Sequence, residues 1–190
     1  MISARAVDAI DWLFEKAVSE HCCREGQPPS VIAIRHERPA PVEQTNRHVV
    51  AINISSYLFR ITLFFNFSTD RESIAYLARL SRCNEDSLEG QTLFDAYAEF
   101  VNMICGAANR DLHASFPHTG MSTPTVLDKA CLHYLPLLKP VHVSQIEVGI
   151  GAGAGFLLTL CVCTAKEARL DFDLERTALP EPSSGEIEFF

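Results

Sequence analysis

The sequence lacks, first of all, any cluster of positive charge. Its 190 residues hold 16 lysines and arginines against 24 aspartates and glutamates, a formal net charge of -8. Phosphate backbones are bound by clustered basic side chains, so a nucleic-acid partner is excluded. Seven cysteines, at 22, 23, 83, 105, 131, 161 and 163, include no CxxC pair and no disulfide-like framework. An odd set of this kind is expected as reduced, buried thiols in a cytoplasmic protein. The seven histidines never fall into HExxH or a paired Cys/His spacing, so no metal site of the chain's own is expected. A GxSxG elbow is missing too, and Ser183 and Ser184 sit in a proline-flanked tail without the rigid support a nucleophile needs.

Long apolar runs are scarce. The longest charge-free stretch, Val148 to Ala165, is 18 residues long and has four glycines in its first half. A membrane-spanning helix needs about 20 mostly apolar residues, so two short strands meeting at the glycines are expected instead, with no membrane partner. The glycines at 149, 151, 153 and 155 do not give GxGxxG, and a strand rather than a helix is expected after them. No helix N-terminus would then be present to hold a phosphate. The opening MISARAVDAIDWLFEKAV carries Asp8, Asp11 and Glu15 inside its apolar pattern, which reads as an amphipathic helix and not as a signal peptide.

What is present is an ordinary globular composition, 47% hydrophobic and 21% charged, with the length of one domain. Helical spacing of Ala6, Ile10, Leu13, Phe14 and Ala17 predicts a first helix over about residues 3–22. SVIAIRH and HVVAINIS read as strands around a proline-bearing loop. LFRITLFFNFS alternates Phe59, Ile61, Leu63, Phe65 and Phe67 with Arg60, Thr62, Asn66 and Ser68, which predicts a strand with one buried face. Thr69 and Glu72 form a capping-box pattern before DRESIAYLARLS. A long helix is expected over 91–115, then a loop FPHTGMSTP, then TVLDKACLHYLPLLKP, which carries no clear element signal. Strands follow at about 141–150 and 156–165, and ARLDFDL reads as a last strand. This order predicts an α+β domain over residues 1–175, with long helices on a mostly antiparallel six-stranded sheet and two related halves. Residues 176–190 read as a flexible acidic tail closing on Phe189 and Phe190.

The long helix holds the unusual feature. At about 100° per residue, Asp95, Glu99, Asn102, Gly106, Asn109 and His113 fall within about 40° of one line. Leu93, Tyr97, Phe100, Val101, Ile104 and Ala108 occupy the opposite side. Such a stripe is ordinarily just the solvated face of an amphipathic helix. Here, though, it has short residues in place of lysine pairs, and Gly106 costs about 1 kcal/mol against alanine in a helix interior. A docking surface is the other reading.

The spacing Asp95-xxx-Glu99-xx-Asn102, continued by Met103, Gly106 and the STPTV of Ser122 to Val126, resembles the CheC/CheX/FliY family of chemotaxis phosphatases. That family's signature is an Asp or Ser, then Glu, then Asn on one long helix, followed at a distance by a proline. In this sequence 21 residues separate Asn102 from Pro124, within one residue of the family's gap. The ARAVDAI helix, the FSTDRES junction and the helix pair after it extend the resemblance over roughly residues 1 to 170. There are departures. Val101 stands where the family often has glycine, and Glu15 is followed at the amide position by Val18, so no second site is expected on the first helix.

A single-site, CheX-like member and a CheC-like fold are what the resemblance implies. It also implies hydrolysis of the aspartyl phosphate of a CheY-type response regulator, with Asn102 orienting the attacking water and Glu99 pairing with the regulator's lysine. Asp95, Gly106 and Pro124 would support docking, and Mg²⁺ would belong to the phosphorylated partner, leaving the chain no cofactor of its own. A homodimer is implied in the same way. The alternatives are a non-catalytic domain that binds a regulator or a flagellar switch component, and a structural domain that self-associates through its sheet edges.

Overall fold

The computed structural model describes residues 1–22, the backbone of 30–35, and residues 48–150 and 154–175; the expected tail, 176–190, lies outside them. Helix α1 spans Ala4–His21 and is capped by Ser3, whose hydroxyl accepts from the Ala6 amide at 3.2 Å. Its apolar stripe, Ala6, Ile10, Leu13, Phe14, Ala17 and Val18, is buried as the spacing predicts. Helix α2 spans Arg71–Leu80. Its cap is Asp70 and not the expected Thr69: the Asp70 carboxylate accepts from the Ser73 amide at 2.8 Å and is itself held by the Ser68 hydroxyl. An aspartate with extended backbone directly before the first turn satisfies that amide itself, so the threonine one residue earlier is not needed. Helix α3, Gly90–Leu112, is entered through Gly90 at φ +53°, a conformation that strains any residue with a Cβ.

Strands β1 (Ser30–Arg35), β2 (His48–Ser55), β3 (Phe59–Phe67), β4 (Gly120–Met121), β5 (Thr125–Asp128), β6 (His142–Gly149) and β7 (Gly155–Thr164) form one sheet. Its order is β1-β6-β7-β3-β2-β4, with β5 also on β2, and every pairing is antiparallel. Seven strands thus fill the six expected positions, because β4 and β5 share one edge. The topology also resolves into two α-β-β-β halves, α1-β1-β2-β3 and α3-β5-β6-β7. Each half contributes a hairpin, the two hairpins meet at β3 and β7, and each edge strand crosses to the other half's hairpin. At the end of the β6–β7 hairpin Gly149 lies opposite Gly155 and the Ile150 amide donates to the Ala154 carbonyl at 2.8 Å, while residues 151–153 of the glycine-rich stretch lie outside the described residues. A Cβ on Gly155 would fall 2.4 Å from the Val148 carbonyl oxygen, so the close approach of the β6 backbone requires glycine at the start of β7.

One face of the sheet, including Ile52, Ile61, Leu63, Phe65, Ile146, Leu158 and Leu160, packs against α1 and α3. Burying one such large apolar side chain contributes about 1.5–3 kcal/mol. Contrary to the expectation from alternation, β3 is buried on its other side as well. Phe64 joins Val49, Ala51, Cys161 and Leu135, the last on a 3-10 helix (Lys129–Leu138) that covers this second face. Thr62 turns its hydroxyl to Asn53 Oδ1 at 2.7 Å, which satisfies a polar atom in that layer. ARLDFDL is not a strand; only Leu170 bridges, in parallel, to Ile2. Of the six described cysteines, all free thiols, Cys22, Cys105 and Cys161 are buried, Cys131 and Cys163 are half-buried and Cys83 is exposed.

Candidate functional site

The site is carried by α3, and three anchors fix how that helix lies. At its first half Tyr97 stacks on Phe67 of β3 with ring centroids 4.2 Å apart, and its hydroxyl donates to the Ser68 carbonyl at 2.8 Å. Burial pushes the Tyr97 phenol well above its ordinary pKa, keeping it a neutral donor. In mid-helix Phe100 meets Phe156 edge-to-face at 5.8 Å. At the far end Lys16 of α1 donates to Asp111 at 2.7 Å and lies over the Trp12 ring. The hydrogen bond to Asp111 raises the Lys16 pKa, so the bridge holds throughout the neutral range.

With the helix so held, Tyr97, Phe100, Val101, Ile104, Cys105 and Ala108 are buried and the expected stripe lies on the other side, although Asn109 Oδ1 within it is buried. Asp95 and Glu99 are exposed, Asn102, Gly106 and Asn109 are half-buried, and His113 is exposed. Among the described residues, neither the Glu99 nor the Asn102 side chain has a hydrogen-bond or ion-pair partner. Their polar atoms are available to another molecule. Asp95 differs: its Oδ1 accepts from Gln91 Nε2 at 2.7 Å, a bond the spacing alone did not signal. A Cβ built on Gly106 would meet nothing within 4 Å, so the fold of this chain does not require a glycine there. Val101, the departure from the family pattern, is wholly buried and points away from the stripe.

Pro124 lies between β4 and β5, both of which pack against α3 as well as pairing with β2. Opposite Asn53 the pairing is carried by Ser122, whose amide donates to the Asn53 carbonyl at 2.9 Å and whose hydroxyl accepts from the Asn53 amide at 3.0 Å. Ile54 faces Met121, but Ala51 faces Thr125, so the register moves by one residue across Ser122–Pro124. A proline has no N–H for the ladder, which accounts for the break in this edge strand. On α1, Glu15 is half-buried and Val18 is in the core, so that helix offers no exposed acid–amide pair at this spacing. Among the described residues no group of three or more His, Cys, Asp or Glu side chains is placed to hold a metal, and no helix is long and apolar enough to cross a membrane.

Residues 59–140, from β3 through the 3-10 helix, match the family model described as chemotaxis phosphatase CheX. Over this segment the chain is similar to CheX. That match contains α3, Pro124 and every residue of the stripe. No curated protein sequence matches the chain. Among solved structures it is similar to CheX from Vibrio vulnificus, with a TM-score of 0.60 and 13% identity over 84% of this chain and 100% of that one. A CheC-like superfamily protein from Shewanella sp. PV-4 gives 0.61 and 10% over 85% and 99%. The CheX of the CheX–CheY–BeF3–Mg²⁺ complex from Borrelia burgdorferi gives 0.56 and 11% over 83% and 97%. At these identities the likeness is one of fold, and the chain shares the α+β, CheC-like architecture of all three.

Proposed function

We propose that this CheX-like chain hydrolyses the aspartyl phosphate of a CheY-type response regulator in chemotaxis or a related two-component pathway. The observation that carries the reading is the outward-facing, unpartnered pair Glu99 and Asn102 on a helix anchored at three points. An acyl phosphate is already reactive, so the element a phosphatase must add is a water held in line with the bond to be broken. Asn102 offers both an acceptor oxygen and N–H donors and can orient that water without taking its proton. The water oxygen bonds to phosphorus while the phosphorus–oxygen bond to the aspartyl carboxylate breaks. The regulator's aspartate leaves as a carboxylate, and the water's protons stay with inorganic phosphate or pass to solvent.

Glu99, one turn earlier, pairs with the regulator's lysine and fixes the approach. Asp95 adds a second anionic contact, Gly106 admits the partner close to the helix, and the Pro124 turn supports the same edge. In this reading Mg²⁺ belongs to the regulator; Mg²⁺ is a component of the Borrelia burgdorferi CheX–CheY–BeF3 complex. The test is to phosphorylate CheY-type regulators from the same genome with acetyl phosphate and follow phosphate release with and without the full chain. Release from at least one regulator should accelerate catalytically; no acceleration with any of them rejects the reading.

A further inference from the structure

Gln91 and Asp95 are both exposed on the first turns of α3, joined by the 2.7 Å bond from Gln91 Nε2 to Asp95 Oδ1. Asp95 and Glu99 stand four residues apart, a spacing at which like charges on a helix repel. Gln91 lies on the N-terminal side of Asp95, so its bond draws the carboxylate away from Glu99. Among the described residues the other oxygen, Oδ2, accepts no bond. A purely structural purpose explains the residue poorly, because an exposed pair of this kind stabilises a helix only slightly. Near a helix N-terminus an acid would suit the macrodipole better than a neutral amide. Only the amide, however, can donate to Asp95.

We infer that Gln91 is a positioning residue that holds the Asp95 carboxylate apart from Glu99, so that a regulator meets two separate anionic contacts along α3. Glu99 is then left free for the cation beside the phosphoryl group, and Asp95 Oδ2 takes a donor or cation further out. This rests on the reading of α3 as the regulator-binding face.

The experiment is a double-mutant cycle on the full chain with Gln91→Met, which keeps the side chain's length but cannot donate, and Asp95→Ala. Thermal unfolding confirms that each variant is folded. In the wild-type background Gln91→Met should raise KM for the phosphorylated regulator by about 1.4- to 2.3-fold with kcat unchanged. In the Asp95→Ala background it should change nothing. An unchanged KM in the first case, or an equal rise in both, overturns the role of Gln91. Affinity for the regulator bound to BeF3⁻ and Mg²⁺ gives the same contrast without hydrolysis. A chain that binds but does not hydrolyse therefore rejects the phosphatase reading while still deciding Gln91, and a chain that does neither rejects both.

Discussion

Asn102 carries no titratable group, so the contribution proposed for it is direction, and direction requires a fixed support. The core residues on either side of it, Val101 and Ile104, are fully buried and supply that support. Gly106, one turn further along, has open space where its Cβ would be. Gly106→Ala should therefore stabilise the free chain by up to about 1 kcal/mol in urea unfolding, while raising KM for the regulator because the added methyl meets the partner. A destabilised variant would show that glycine serves the fold, and a stabilised variant with unchanged KM would show that nothing approaches there. At this scale the sequence was informative because a helix has one period: projecting 95, 99, 102 and 106 onto a line already separated them from the core. The Gln91–Asp95 bond was not legible, since it depends on which rotamer an exposed amide adopts.

Among the elements, strong periods were readable and weak ones were not. Alternating phenylalanines gave β3, yet its second buried face depends on a 3-10 helix, and ten residues of that kind with Pro136 inside them have no usable periodicity. The edge strands β4 and β5 are two and four residues long, too short to show alternation. ARLDFDL does alternate, but Leu170, Phe172 and Leu174 pack against the core without joining the sheet, so burial produced the pattern of a strand without its pairing. The start of α2 shows the same ambiguity among caps. Asp70→Ala should cost about 0.5–2 kcal/mol in denaturant unfolding, whereas Thr69→Ala should stay within about 0.5 kcal/mol. The reverse ranking would restore the threonine as the cap.

On the scale of the molecule, the first residues of the chain are tied to Leu170 and Asp171 beside the two main helices. Leu170 takes the Ser3 amide at 3.0 Å and gives its own amide to the Met1 carbonyl at 2.8 Å, while Arg5 grips Asp171 through two bonds of 2.8 and 2.9 Å. Phe172 lies edge-on to Phe116, just past the end of α3. The hydrogen bond from Arg5 lowers the Asp171 pKa from 3.8 to about 2. A carboxylate shifted downward on folding stabilises the native state above its unfolded pKa and loses that contribution as pH falls through the folded one. The melting-temperature difference between the wild type and Asp171→Asn should accordingly be full above about pH 4 and shrink toward pH 2. A difference independent of pH would assign the clasp to packing instead. No such exposed pair was foreseeable, because residues 5 and 171 meet only once the two halves have assembled.

The proposed complex with a regulator is the largest unit involved, and the most direct measurement is made on it. The lifetime of a phosphorylated CheY-type regulator should be compared with wild type, Glu99→Ala and Asn102→Ala, alongside affinity for the same regulator in its BeF3⁻ and Mg²⁺ form. Wild type should shorten the lifetime. Glu99→Ala should weaken binding, and Asn102→Ala should bind as wild type does while leaving the phosphate to decay at its unassisted rate. Hydrolysis that survives in Asn102→Ala would contradict the assignment of the water to that amide.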